Sequence, residues 1–129
     1  MNESLGKEYK LCSKKAIDRL FKEGNSFRCD GLRFIYVYHP LEDKEFKILF
    51  SVSKRNFKRA VDRNLLKRRM REAFRKNKTD LVANALNAQR EVQIGMVYNQ
   101  NKIISFHEIE AMVIKGLKIL NKKLNEIHE

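Results

Sequence analysis

Apolar and polar residues alternate along three segments of the chain, as they do in strands whose two faces have different surroundings. These segments are residues 32–38, 46–53 and 92–98. A shorter strand is expected around residues 27–29. His39 and Pro40, followed by acidic residues, indicate a turn after the first long segment. The pattern therefore predicts a small sheet of about four strands.

Three further segments place apolar residues at the three- and four-residue spacing of an amphipathic helix. The first begins at Ser13, a suitable cap, and ends at Gly24. The second covers about residues 57–77. The third begins after Ser105, which together with Glu108 has the spacing of a capping box. Residues 81–89 are compatible with a short helix or with an ordered loop.

These elements follow one another in the order αβββαβα, which is typical of an α+β fold built on a small mixed sheet. The second helix connects two strands that we expect to be parallel. With 129 residues and 43% hydrophobic content, the whole chain, residues 1–129, is expected to form a single domain with one core.

Neither a secretory signal nor a membrane-spanning segment is recognisable in the sequence. The two cysteines, Cys12 and Cys29, are too few for a disulfide framework or a zinc site, and they fit a reducing compartment. We therefore expect a cytoplasmic protein.

The positive charge of the chain is concentrated in the second helix and the residues before it. Residues 54–78 contain twelve Lys and Arg but only two acids, so this segment carries +10 of the net charge of +12. Such a concentration repels itself unless a strongly negative partner is present, and a phosphate backbone is the first candidate. At about 100° per residue one row of a stripe holds Arg63, Lys67 and Arg71, beside which lie Asn64, Arg68 and Arg75.

A solvated surface and a membrane-binding surface are alternatives to nucleic-acid binding for this stripe. Most charged runs are simply solvated helix faces, although such faces usually mix both signs. An acidic membrane could also attract the stripe, but the helix has no Trp and few aromatic side chains to insert among lipid headgroups. Nucleic-acid binding accounts for the one-sided charge better than either alternative.

A set of short motifs links the end of the second long strand to the basic helix. It consists of SVSKR at residues 51–55, AV at 60–61, RN at 63–64, KR at 67–68, RE at 71–72 and FR at 74–75. This set closely resembles the signature of the bacterial ribonuclease P protein component. The resemblance extends over most of the chain and implies a left-handed crossover through the basic helix. Strand–helix–strand connections are right-handed in nearly all other proteins.

The sequence departs from the family pattern at two positions. The family motif usually has a third residue, Arg, where this chain has Leu65, and helical spacing places Leu65 toward the core. In the first helix the family often has an aromatic residue at the position of Ile17. The aromatic surface that this helix contributes is therefore expected to be smaller.

The resemblance implies that a large RNA subunit is the catalyst and uses magnesium to cleave precursor tRNA at its 5′ end. The protein is then an accessory subunit, expected to be inactive alone and to bind no cofactor or metal itself. Its basic surface would dock on the catalytic RNA through phosphate contacts that do not read sequence. The residues implied in these contacts are Lys54, Arg55, Arg59, Arg63, Asn64, Lys67, Arg68, Arg71 and Arg75.

A second implied role is to hold the single-stranded 5′ leader of the precursor by base stacking, which tolerates many sequences. The cleft between the first helix and the sheet would provide Phe21 and Tyr36 for this purpose. Further candidates are Phe34, Tyr38 and Ile17. Tyr36 also suits a core position with a hydrogen-bonded hydroxyl.

No catalytic constellation is visible in the sequence. His39, His107 and His128 are scattered, and none has metal-ligand spacing to another His, Cys or carboxylate. Three other classes of protein stay as alternatives: a structural protein of the ribosome, a transcription factor that places a basic helix on DNA, and a free-standing nuclease.

Overall fold

The computed structural model describes residues 11, 14–40, 46–79, 81 and 90–127. Within these ranges it contains three helices and four strands in the predicted order αβββαβα. Ser13 and most of residues 81–89 lie outside the described residues. The elements are α1 (Lys14–Glu23), β1 (Asn25–Cys29), β2 (Leu32–Pro40), β3 (Phe46–Val52), α2 (Ala60–Asn77), β4 (Arg90–Tyr98) and α3 (Phe106–Ile127).

The four strands form one sheet in the order β1-β2-β4-β3. β1, β2 and β4 are antiparallel neighbours, whereas β3 runs parallel to β4. Ile94 in β4 lies opposite Tyr36 on one side and opposite Ile48 on the other. The basic helix α2 therefore connects two adjacent parallel strands, as the sequence predicts.

The two faces of this sheet are covered by different helices. Even-numbered positions of β2, β3 and β4, among them Phe34, Phe50 and Ile94, belong to a large buried cluster with α2 and α3. Odd-numbered positions such as Ile35 and Val37 belong to a smaller cluster with α1. This division follows from the period of two in a strand, which turns successive side chains to opposite faces. The main core thus lies between the sheet and the two longer helices.

The hand of the β3–α2–β4 crossover can be read from one hydrogen bond. Ile48 packs on the face that α2 covers, and its carbonyl accepts a bond from the Leu11 amide (N to O, 3.0 Å) beyond the open edge of β3. Consider the sheet viewed from the α2 side, with β3 running upward. In a strand of L-residues, a residue whose side chain points toward the viewer has its carbonyl group pointing to the right. β4 therefore lies to the left, and the crossover is left-handed. This confirms the expectation from the resemblance and departs from the general preference.

Two helix ends are formed by the residues that the sequence indicates. The Gly24 amide donates to the Leu20 carbonyl (2.9 Å) where α1 ends. A Cβ at Gly24 would overlap that carbonyl and the Ile35 side chain, so only glycine fits there. At the start of α3, the Glu108 amide donates to the Ser105 hydroxyl (3.2 Å). The Ser105 cap is thus confirmed, and it satisfies one of the free amides of the first turn.

The contact between α3 and the sheet depends on Gly116. This residue is buried in the middle of α3, and a Cβ at its position would overlap the ring of Phe34, which is fully buried. The missing side chain therefore lets the helix approach the aromatic ring of β2.

We expect Gly116→Ala to lower the free energy of unfolding by up to about 2 kcal/mol. Overpacking against Phe34 costs about 1–3 kcal/mol, which exceeds the gain of about 1 kcal/mol in helix propensity. Urea unfolding monitored by circular dichroism measures the change. The matched control is Gly31→Ala, because a Cβ there would meet only the mobile end of the Gln100 side chain. Equal stability of the two variants would contradict this account of the α3 contact.

Candidate nucleic-acid interface

The basic helix α2 has one face fixed in the core. Its buried residues are Leu66, Met70, Ala73 and Phe74. The Phe74 ring packs edge-on against Phe50 of β3, with ring centroids 6.1 Å apart. The opposite face of α2 must therefore point to solvent, and Asn64, Arg68 and Arg71 are indeed exposed there.

Some side chains at the border of the exposed face contact other groups of the protein. The Arg71 guanidinium lies 5.9 Å from the centre of the Phe50 ring, which orients it over the edge of the sheet. The Arg75 Nε donates to the Glu72 carboxylate (3.0 Å), and this bond holds the pKa of Glu72 below its usual value. Glu72 thus offsets the charge of Arg75. Lys67 is half-buried at the border of the face.

Arg63 does not point outward as the predicted row requires. Its guanidinium is half-buried and donates to the carbonyls of Phe57 (2.8 Å) and Lys58 (2.9 Å). The expectation of an outward Arg63 side chain is therefore wrong. Position 63 lies about 100° from Asn64, toward the buried side of α2, which helical spacing alone could have shown.

The loop before α2 is held in place by the two hydrogen bonds from Arg63 and by further bonds to Ser53. The Arg55 amide donates to the Ser53 hydroxyl (3.0 Å), and the Phe57 amide donates to the Ser53 carbonyl (3.1 Å). Phe57 is buried and packs edge-on against Tyr98 (5.7 Å between centroids). α2 consequently begins at Ala60 and not near residue 57. The ordered loop carries four exposed cations, Lys54, Arg55, Lys58 and Arg59.

Three more residues of α2 have surroundings that helical spacing predicts only in part or not at all. Arg69 donates to the Ile104 carbonyl and so ties α2 to the segment before α3. Leu65 is half-buried, so its predicted orientation toward the core is only partly realised. Val61, which helical spacing assigns to the apolar face, is 58% exposed. The apolar face is therefore narrower than the periodicity predicts.

The predicted aromatic cleft is not formed in the expected way. Phe34 is fully buried and Tyr36 is 7% exposed, and both lie on the face covered by α2 and α3. Phe21 belongs to α1, which packs on the opposite face, and it is 45% exposed. The placement of Phe34 and Tyr36 in one cleft with Phe21 is therefore wrong, because the longer helices cover the aromatic face of β2. The side chain of Tyr38 lies outside the described residues.

The α1 side of the sheet nevertheless retains a partly open surface. Leu20 sits above Gly95, where a Cβ would lie 3.3 Å from its methyl group, and Ile17 packs half-buried beside it. Farther along the same face, Leu49 and Val97 are only half-buried. α1 therefore leaves part of the apolar surface on this side of the sheet uncovered.

Among the residues that the structure describes, no group of three or more His, Cys, Asp or Glu side chains is arranged so that it could bind a metal ion. His107 is exposed in the first turn of α3 and contacts the Phe106 ring. The side chains of His39 and His128 lie outside the described residues. Among the helices described, none is long and apolar enough to cross a membrane.

Comparison with known proteins decides the family. A family model described as Ribonuclease P matches residues 5–121. The chain belongs to the ribonuclease P protein family. It is 32% identical over 127 residues to the ribonuclease P protein component of Chlorobaculum tepidum, covering 90% of this chain and 82% of that relative. It is 33% identical over 114 residues to that of Borrelia hermsii, covering 88% and 91%.

Solved ribonuclease P proteins have the same fold. The Staphylococcus aureus protein superposes with a TM-score of 0.68 at 24% identity, covering 88% of this chain and 96% of its own. The Thermotoga maritima protein gives 0.65 at 20% identity, covering 85% and 96%. The chain is thus a protein component of an endoribonuclease ribonucleoprotein involved in tRNA processing, and the ribosomal alternative is not favoured.

We expect Arg63→Gln to lower the free energy of unfolding by about 1–2 kcal/mol, because two hydrogen bonds from a charged donor to the loop are lost. Arg68→Gln removes the same charge from an exposed position and should change stability by less than about 0.5 kcal/mol. Urea unfolding compares the two variants, and amide hydrogen exchange at residues 55–59 reports loosening of the loop. If Arg63→Gln is as stable and as protected as Arg68→Gln, Arg63 does not hold the loop.

Proposed function

We propose that this protein docks on the RNA subunit of ribonuclease P through the exposed face of α2 and the loop before it, and thereby assists removal of the 5′ leader from precursor tRNA. One observation carries the proposal. The core fixes α2 so that Asn64, Arg68 and Arg71 face solvent next to the exposed cations of an ordered loop. Family membership supplies the identity of the RNA.

The contacts on this surface are suited to phosphate and not to base recognition. The guanidinium groups of Arg55, Arg59, Arg68 and Arg71 can each donate two parallel hydrogen bonds to a phosphate. The loop also lies at the N-terminus of α2, where the helix dipole favours a negative group. Phosphate contacts fix orientation without reading sequence. Such a surface would recognise the shape of a folded RNA.

In this proposal, catalysis belongs to the RNA subunit and to the magnesium that it requires. The exposed polar side chains of α2 and its loop are Arg, Lys and Asn. A guanidinium cannot lose its proton in a protein, so it cannot serve as a general base, but it stabilises negative charge. The protein would therefore contribute binding and charge neutralisation, and it would work in the cytoplasm with its RNA partners.

The 5′ leader would pass over the α1 side of the sheet. Phe21 offers an exposed ring on α1, and Ile17, Leu49 and Val97 offer half-buried apolar side chains on the same side of the sheet. An aromatic ring stacks on any base, so this surface would tolerate different leader sequences. Phe34 and Tyr36 support the opposite face of β2 instead of touching the leader.

Reconstitution tests the proposed function directly. At low magnesium we expect the purified protein to be inactive, the RNA subunit to be weakly active, and the mixture to release the 5′ leader efficiently. Denaturing gel electrophoresis of labelled precursor tRNA measures the products. Cleavage by nuclease-free protein alone would contradict the division of labour, and a protein that fails to stimulate the RNA would contradict the proposed function.

We expect Phe21→Ala to weaken binding of precursor tRNA to the assembled enzyme by about 1–3 kcal/mol, the value of one base stacked on an aromatic ring. Mature tRNA has no leader, so its affinity should stay the same. Filter binding with both tRNAs measures the difference. The control is Ile103→Ala, since Ile103 is 46% exposed and precedes α3, remote in sequence from α1. An equal loss for precursor and mature tRNA would refute contact between Phe21 and the leader.

A further inference from the structure

The positive charge of the molecule belongs to one layer of the fold. Residues 54–78, the loop and α2, carry twelve cations and two acids, and residues 111–125 of α3 carry four lysines and no acid. α3 also contains Glu108, Glu110 and Glu126 near its two ends, and the chain outside the loop and these two helices has twelve basic and eleven acidic residues, so its net charge is close to zero. α2 and α3 pack side by side on the same face of the sheet. The helix layer as a whole is therefore the positive side of the protein.

The lysines of α3 form a stripe of their own, defined here as Lys115, Lys118 and Lys122. All three are exposed, whereas the opposite side of the helix is buried through Val113 and Leu120. Lys115 lies 3.7 Å from the Asp30 carboxylate, but both side chains are exposed, so this ion pair neutralises little. The α3 stripe thus presents three cations in two turns of helix.

A contact between the helices joins the α3 stripe to α2. Lys118 and Asn77, the last residue of α2, line one groove of about 160 Å³ between the two helices. Asn77 also lies 3.4 Å from Glu110 of α3 through its amide nitrogen. Two further cations, Lys76 and Lys78, flank Asn77 in sequence. Positive charge therefore continues from the C-terminal end of α2 onto α3.

The α3 stripe is explained less well as a solvated helix face than as a surface that binds an anionic partner. Solvated helices usually mix both signs, and like charges three or four residues apart destabilise a helix by about 0.2–0.5 kcal/mol per pair. Lys115 with Lys118, and Lys118 with Lys122, are two such pairs. An anionic partner would turn this unfavourable arrangement into a favourable one.

We propose that the α3 stripe is a second RNA-contact surface, which binds the phosphate backbone of the same RNA that α2 holds. This inference rests on the proposed function and extends the contact beyond α2. Lysine is a compact charge on a flexible stem, so the α3 stripe neutralises phosphates without the bidentate geometry of the arginines on α2. It adds affinity and salt dependence and leaves base recognition unchanged.

The test is the salt dependence of RNA binding. The dissociation constant of the full-length protein and the ribonuclease P RNA subunit is measured by filter binding across a range of salt concentrations. Each phosphate contact contributes about 0.7–0.9 to the slope of log K against log salt concentration. The triple variant Lys115→Gln, Lys118→Gln, Lys122→Gln should therefore lower the slope by about 2. Its thermal stability at low salt should be unchanged or slightly higher, because two repulsive pairs are removed.

A matched triple variant removes the same charge elsewhere. Lys14, Lys15 and Lys22 are exposed on α1, at the opposite face of the sheet, and their replacement by Gln should leave the slope unchanged. An unchanged slope for the α3 variant, or an equal fall for the α1 variant, would overturn the second surface.

A reference variant separates this inference from the proposed function. Arg68→Gln with Arg71→Gln should lower the slope if α2 docks on the RNA. Failure of the wild-type protein to bind the RNA would refute both contacts, whereas a normal slope in the reference variant would refute the α2 contact alone. A reduced slope in the reference variant beside a normal slope in the α3 variant would refute the α3 contact alone.

Discussion

Burial of one side of α2 against α3 and the sheet is the interaction on which the rest of the molecule depends. Leu66, Met70 and Phe74 are fully buried, and burying a side chain of this size contributes about 1.5–3 kcal/mol. Repulsion between like charges along an exposed helix face costs only about 0.2–0.5 kcal/mol per pair. Burial therefore outweighs repulsion, and a helix with a large excess of positive charge stays folded in the absence of RNA. The same burial fixes which cations face outward.

The cations of the basic segment fall into two groups with different tasks. One group donates hydrogen bonds within the protein. Arg63 bonds to the loop before α2, Arg69 bonds to the segment before α3, and Arg75 bonds to Glu72 on the surface of α2. Arg68 and Arg71 are exposed on the outer face of α2. A charge count from the sequence thus overstates the number of residues available to RNA. It remains a good guide to the location of the surface, because the bonded arginines hold the exposed ones in place.

The spacing of apolar residues and the capping signals were enough to predict the order of the elements, the parallel crossover and the cap at Ser105. They could not show which helices cover which face of the sheet. Phe34 and Tyr36 were correctly placed on one face of β2, but the choice between α1 and the α2–α3 pair depends on long-range packing, which period does not encode. Helical spacing could have shown that Arg63 turns away from the exposed face, but it could not identify its acceptors, which are carbonyls of an irregular loop. The left hand of the crossover came from family resemblance alone.

The position of β4 in the sheet has a consequence for the synthesis of the protein. β4 is the last strand to leave the ribosome, yet it lies between β2 and β3 and pairs with both. Leu32, for example, lies opposite Tyr98, and such distant pairings slow folding because a long loop must close first. β2 and β3 have no common neighbour until β4 emerges. Among the helices and strands, α2 packs mainly on β3 and α3, and α3 is synthesised later still. The nascent protein therefore completes its sheet only after translation of residues 90–98, and α2 gains its largest packing partner only when α3 has followed.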